Sequence, residues 1–147
     1  MPALLCGAIG LAYLVALRGA FQFDDHQVIV LNPAVRSWSG WRESMPGIRP
    51  LLKLSYVLNW VSGPGIVGFH AVNLLCHAAS ALCVFALCRR WGDALGLDPR
   101  QVPAVALTTA LLFALHPAQT EAVTYISGRS VALMALCYLG ACLAYQH

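Results

Sequence analysis

Charge is what this chain lacks. Only 10% of its 147 residues are Asp, Glu, Lys or Arg, against roughly 25% in ordinary soluble domains. So few charges cannot solvate the surface of a soluble fold, and a mean hydropathy of +0.69 agrees that lipid must cover much of it. Lys53 is the sole lysine, the basic residues form no run, and the net charge is only +3, which leaves no footprint for nucleic acid. Six cysteines (Cys6, Cys76, Cys83, Cys88, Cys137, Cys142) sit in or beside apolar stretches without a single CxxC pair. They read as small hydrophobes and support neither a disulfide nor a zinc site. A basic leader region is missing too, and Leu17-Arg18-Gly19-Ala20 makes a poor cleavage site, so the first apolar stretch reads as an anchor. No internal repeat or low-complexity tract is visible.

What is present is a set of stretches free of Asp, Glu, Lys and Arg: residues 1–17, 54–88, 101–120 and 130–147. Each approaches or exceeds the roughly 18 residues expected of a membrane span. The expected fold class is therefore an all-α polytopic membrane protein with about four spans, near 2–20, 66–88, 102–115 and 130–147. The long first loop contains two short apolar pieces, Phe21-Gln22-Phe23 and Val28-Ile29-Val30-Leu31, expected to be extended, and a turn at Asn32-Pro33. Trp38 and Trp41 suit the headgroup layer. Pro50 can open a helix, since its missing N–H costs nothing at the first position. Leu51, Leu54, Leu58 and Val61 then recur at helical spacing with Lys53 and Asn59 off that stripe, which predicts an interfacial amphipathic helix. The final apolar run has no polar flank, so residues 1–147 are expected to be a fragment of a longer protein.

Arg89, Arg90 and Arg100 crowd a short loop, whereas Arg36, Arg42, Arg49 and Lys53 are spread over a long one. Dense basic residues mark the cytoplasmic side. Both termini are thus expected there, with the first and third loops facing outward. Four spans put those two loops on one side whatever the sign, so their polar residues can build one site.

The first loop opens with Asp24-Asp25, where a carboxylate can act as general base or hold a divalent cation. A solvated acidic turn is the plainer alternative. The third loop carries His116, Glu121 and Arg129, and a guanidinium at the headgroup level can fork onto a phosphate. Along the second span His70, Asn73, His77 and Ser80 fall on one helical face. Polar groups inside a membrane face the bundle interior, either as a site or as hydrogen-bonded glue between helices.

In order along the chain, Phe23-Asp24-Asp25-His26 with Asn32-Pro33, Arg49-Pro50-Leu51, residues 69–77 and the line 112–123 through Gly128-Arg129 resemble one family. They are similar to the amino-terminal part of the transmembrane-and-tetratricopeptide-repeat (TMTC) proteins, including their bacterial relatives. That family is similar to protein O-mannosyltransferases within the GT-C glycosyltransferase superfamily. The resemblance implies an enzyme that uses a polyprenyl- or dolichyl-phosphate-linked sugar and transfers it to a protein or other hydroxyl acceptor with inversion. By the match, Asp24 or Asp25 supplies the catalytic carboxylate, and Arg129 stabilises charge on the leaving phosphate. Arg49, His70, His116 and Glu121 fall on family positions as substrate-binding candidates. The implied setting is a bacterial inner membrane with its active loops in the periplasm, or the lumenal face of the endoplasmic reticulum in a eukaryote. The family's later spans and tetratricopeptide repeats are absent here. A non-catalytic membrane module that positions downstream repeats for protein contacts is the alternative.

Overall fold

The computed structural model describes residues 1–146 and is helical, with no strand among the described residues. His147, the last residue of the expected fourth span, lies outside them. Helix α1 (Pro2–Tyr13) continues as a 3-10 segment, Leu14–Arg18. The first loop carries α2 (Trp38–Glu43) and α3 (Pro50–Ser62). They are followed by α4 (Gly65–Ala94), α5 (Val102–Leu115), α6 (Thr120–Thr124) and α7 (Arg129–Tyr145).

Two helical stretches, Gly65–Ala94 and Ile126–Tyr145, are long and apolar enough to cross a membrane. A third span results if Val102–Leu115 and Pro117–Thr124, bent by 52°, are taken together, and Pro2–Arg18 is apolar but shorter. The bend has a local cause. Pro117 cannot donate to the carbonyl four residues back, and the Ala118 N–H turns to His116 Nδ1 at 3.2 Å. The Ala114 carbonyl thereby loses its helical partner. It is satisfied instead by Tyr13 Oη (3.2 Å) and His77 Nε2 (2.9 Å), which tie α1 and α4 to the end of α5.

α4 is the central element. Its polar stripe is wholly buried: His70, Asn73, His77 and Ser80 all face the interior. One core joins Leu5, Ile9 and Tyr13 of α1, Ala81 and Phe85 of α4, and Ala106, Ala110 and Ala114 of α5. The three alanines repeat at i, i+4, a stripe of small side chains that lets α5 approach α4 closely. A second core under the first and third loops joins Ile29, Val35, Tyr56, Val57, Phe69 and Ile126.

In the first loop the expected extended pieces give way to a correction. His26–Val30 forms a single π-helical turn, in which Leu31 N–H reaches the His26 carbonyl at 2.8 Å. That turn carries Ile29 into the second core. The expected amphipathic helix is α3, which leaves Leu51, Leu58 and Val61 exposed and buries Tyr56 and Val57. It stops at Gly63, whose φ of 71° is a left-handed helix end that glycine accepts without a Cβ clash.

Candidate active site where two loops meet

The first and third loops meet directly. Asp25 is buried, at 1% exposure. Its Oδ1 accepts from the Ser127 N–H at 2.7 Å and its Oδ2 from the Gln22 N–H at 3.1 Å. Both oxygens therefore serve the main chain, one closing the turn that contains Asp25 and the other joining residues 102 positions apart. Asp24 is exposed. Its N–H donates to Tyr125 Oη at 2.9 Å, and Phe23 just before it adopts φ 42°, a left-handed conformation uncommon outside glycine.

Asp24 opens onto a cavity of about 680 Å³ that Glu121 shares, together with Gln22, Phe23, Thr120, Thr124 and Tyr125. Among the described residues no lysine, arginine or histidine lines it. Among the described residues no three His, Cys, Asp or Glu side chains gather as a metal site.

The remaining candidates lie elsewhere. Arg129 is at 0% exposure. Its Nε donates to Asn73 Oδ1 (2.8 Å), its Nη1 to the Ser55 carbonyl (3.1 Å) and Oγ (3.2 Å), and its Nη2 to the Phe69 carbonyl (2.8 Å). Four of the five donors of a guanidinium are thus committed inside the protein. The rings of Tyr56 and Phe69, with centroids 4.6 and 5.5 Å from its central carbon, add cation–π contacts. In this arrangement Arg129 presents no open fork to a phosphate. It joins three helices. Asn73 extends the joint, donating from Nδ2 to the carbonyls of Tyr125 (2.9 Å) and Ile126 (3.3 Å). Burial pushes the Tyr56 hydroxyl up to about 12, against the opposing pull of Arg129.

His70 is buried with Nε2 3.3 Å from the Gly19 carbonyl, which sets the exit of the first apolar helix against α4. His116 caps the 3-10 turn Pro117–Gln119 and lines a separate cavity with Leu111, Leu112 and Leu115. Arg49, at φ 58°, is exposed and lines a mostly apolar groove of about 560 Å³. The groove runs between Pro50, Leu51 and Leu52 of α3 and Val131, Leu133 and Met134 of α7. Of the seven candidates, only Asp24 and Glu121 share the cleft. Tyr125 and Asn73, which hold the acidic turn in place, carry no local signal that singles them out as partners of Asp24.

Fold and site together define an all-α integral membrane protein with an acidic cleft formed where the first and third loops meet. No protein-family model matches the chain, and no solved structure matches it. Among curated proteins it is 38% identical to mouse protein O-mannosyl-transferase TMTC1 and 37% identical to the human protein, each over 98% of this chain. It is 31% identical to the Caenorhabditis elegans protein O-mannosyl-transferase F38B6.6 over 88% of the chain. The chain is a TMTC-like protein, homologous over most of its length to these transferases. It spans between 16% and 20% of the length of the three relatives.

Proposed function

We propose that the chain is part of a membrane glycosyltransferase that moves a sugar from a lipid-phosphate donor to a hydroxyl acceptor, with Asp24 as general base. The unequal surroundings of the acidic pair carry this reading. A general base must come within hydrogen-bond reach of the proton it removes. Asp25 spends both oxygens on main-chain N–H groups, whereas Asp24 faces an open cleft. With two carboxylates and no cation in its lining, that cleft suits a neutral hydroxyl acceptor better than an anionic donor. Asp24 takes the acceptor's proton as the acceptor oxygen bonds to the anomeric carbon. The bond from that carbon to the phosphate oxygen breaks, its electron pair leaves on the phosphate, and the carbon inverts.

The donor side is supported by the α3–α7 groove, whose lining is mostly apolar and includes Arg49, Ser55 and Ser130. Such a groove fits a polyprenyl or dolichyl chain whose phosphate stays near the headgroups. The relatives' names support mannose as the sugar and a protein as the acceptor. Arg129 then acts as the joint that sets the third loop. The orientation is supported by α4, along which Phe69 beside the loops and Arg89 at the basic end are separated by a rise of about 30 Å. That matches the hydrocarbon thickness. By the positive-inside rule the Arg89-Arg90 end is cytoplasmic, and the cleft faces the periplasm of a bacterial inner membrane or the lumen of the endoplasmic reticulum.

The test uses the full-length protein in vesicles, with polyprenyl-phosphate mannose and a serine/threonine peptide. Asp24→Asn should lower transfer by about 10²–10⁴-fold, the usual contribution of a general base, without loss of membrane insertion. Transfer by Asp24→Asn at the wild-type rate rejects the reading.

A further inference from the structure

We infer that Tyr125 is the positioning residue for Asp24, and that its hydroxyl proton is turned to the bound substrate. This rests on the general-base reading above. The Asp24 carboxylate is exposed, and no described residue donates a hydrogen bond to it. Its aim is therefore set by its own main chain. Two features govern that main chain. Phe23 holds φ 42° with its ring 84% exposed, so packing of the ring does not enforce the conformation. The Asp24 N–H ends on Tyr125 Oη at 2.9 Å, a contact spanning 101 positions.

Tyr125 is itself well anchored. Its carbonyl accepts from Asn73 Nδ2, its N–H reaches the Glu121 carbonyl at 3.2 Å, and Asn73 is in turn held by Arg129. The buried joint thus sets Tyr125, and Tyr125 sets Asp24. A phenol carries one donor and can still accept. Because Oη accepts from Asp24, its own hydrogen is left to donate, and Tyr125 lines the same cleft as Asp24 and Glu121. That hydrogen can meet a substrate oxygen beside the base, orienting the acceptor hydroxyl toward the carboxylate.

Tyr125→Phe removes the oxygen and retains the ring. In the full-length protein, with polyprenyl-phosphate mannose and a serine/threonine peptide, kcat should fall about 10–100-fold while the peptide KM changes less than threefold. On an Asp24→Asn background the same substitution should cost less than threefold more, because the substrate contact serves to aim the acceptor hydroxyl at the Asp24 carboxylate. Wild-type kcat, a change confined to KM, or a full additional loss on the Asp24→Asn background would each overturn the inference. Wild-type transfer by Asp24→Asn would instead overturn the general-base reading. An independent readout needs no activity and no variant. In the wild-type protein the Asp24 amide should exchange with solvent deuterium at least tenfold more slowly than in a free peptide of residues 19–29. Exchange at the peptide rate would show that the Tyr125 contact does not hold Asp24.

Discussion

At the scale of single residues, adjacent groups of one chemical type have opposite lives. Asp24 and Asp25 have the same side chain, yet one is in solvent and the other is walled in by main-chain donors. Tyr125 and Tyr56 make a similar contrast. Tyr125 lines the cleft, while Tyr56 is buried against the Arg129 guanidinium. The Tyr56 hydroxyl, moved from an ordinary 10.0 to about 12 by burial, has a consequence for pH. Between those values the unfolded chain has released this proton and the folded protein has retained it. The stabilisation is complete below pH 10 and is lost as pH rises through about 12, amounting to about 3 kcal/mol. A difference titration of tyrosinate absorbance, wild type minus Tyr56→Phe, should show one group with a midpoint near 12. A midpoint near the ordinary value would mean that the ring is solvated.

At the scale of elements, the turn between α6 and α7 is a tight junction. A Cβ on Gly128 would lie 2.7 Å from the Glu121 carbonyl oxygen and 3.2 Å from Ala122 Cα. These are main-chain atoms that cannot swing aside. Gly128→Ala should therefore destabilise the protein by about 1–3 kcal/mol, as forced overpacking does. It should also disturb Glu121 and the Ser127 N–H that holds Asp25. Gly140 sits within α7 with nothing inside 4 Å of an added Cβ. Gly140→Ala should instead be neutral or stabilising by up to about 1 kcal/mol, since glycine weakens a helix interior. Thermal unfolding of the two variants in detergent micelles checks the contrast, and equal behaviour would contradict the geometry of the turn.

For the whole molecule, the proposed function requires the first and third loops to lie on one side of the bilayer and the basic α4–α5 connection on the other. The loops are joined by Asp24–Tyr125 and Asp25–Ser127 contacts, and α4 separates them from Arg89 and Arg90. Single cysteines introduced as Glu121→Cys and Asp98→Cys, in a background without the native six, should react with an impermeant thiol reagent from opposite faces of sealed vesicles. Labelling of both from the same face would remove the topology on which the cleft depends.

Much of this was legible from residues read one stretch at a time. Scarce charge meant lipid, apolar runs marked α4 and α7, and the spacing of His70, Asn73, His77 and Ser80 marked an interior face. Loop parity, on the expectation of four spans, left the first and third loops free to build one site. Those inferences need only the local period of a helix and the preference of each side chain for water or hydrocarbon. The π-turn at His26–Val30 was not legible, because an apolar tetrad suits a short strand as well as a tight helical turn, and the second core decided between them. Nor did any local pattern distinguish Asp24 from Asp25, or reveal that Arg129 would be sealed inside by Asn73, Ser55 and Phe69. Those outcomes belong to tertiary structure. They turn on which main-chain donors arrive from a hundred residues away, and such contacts have no period and leave no trace in neighbouring residues.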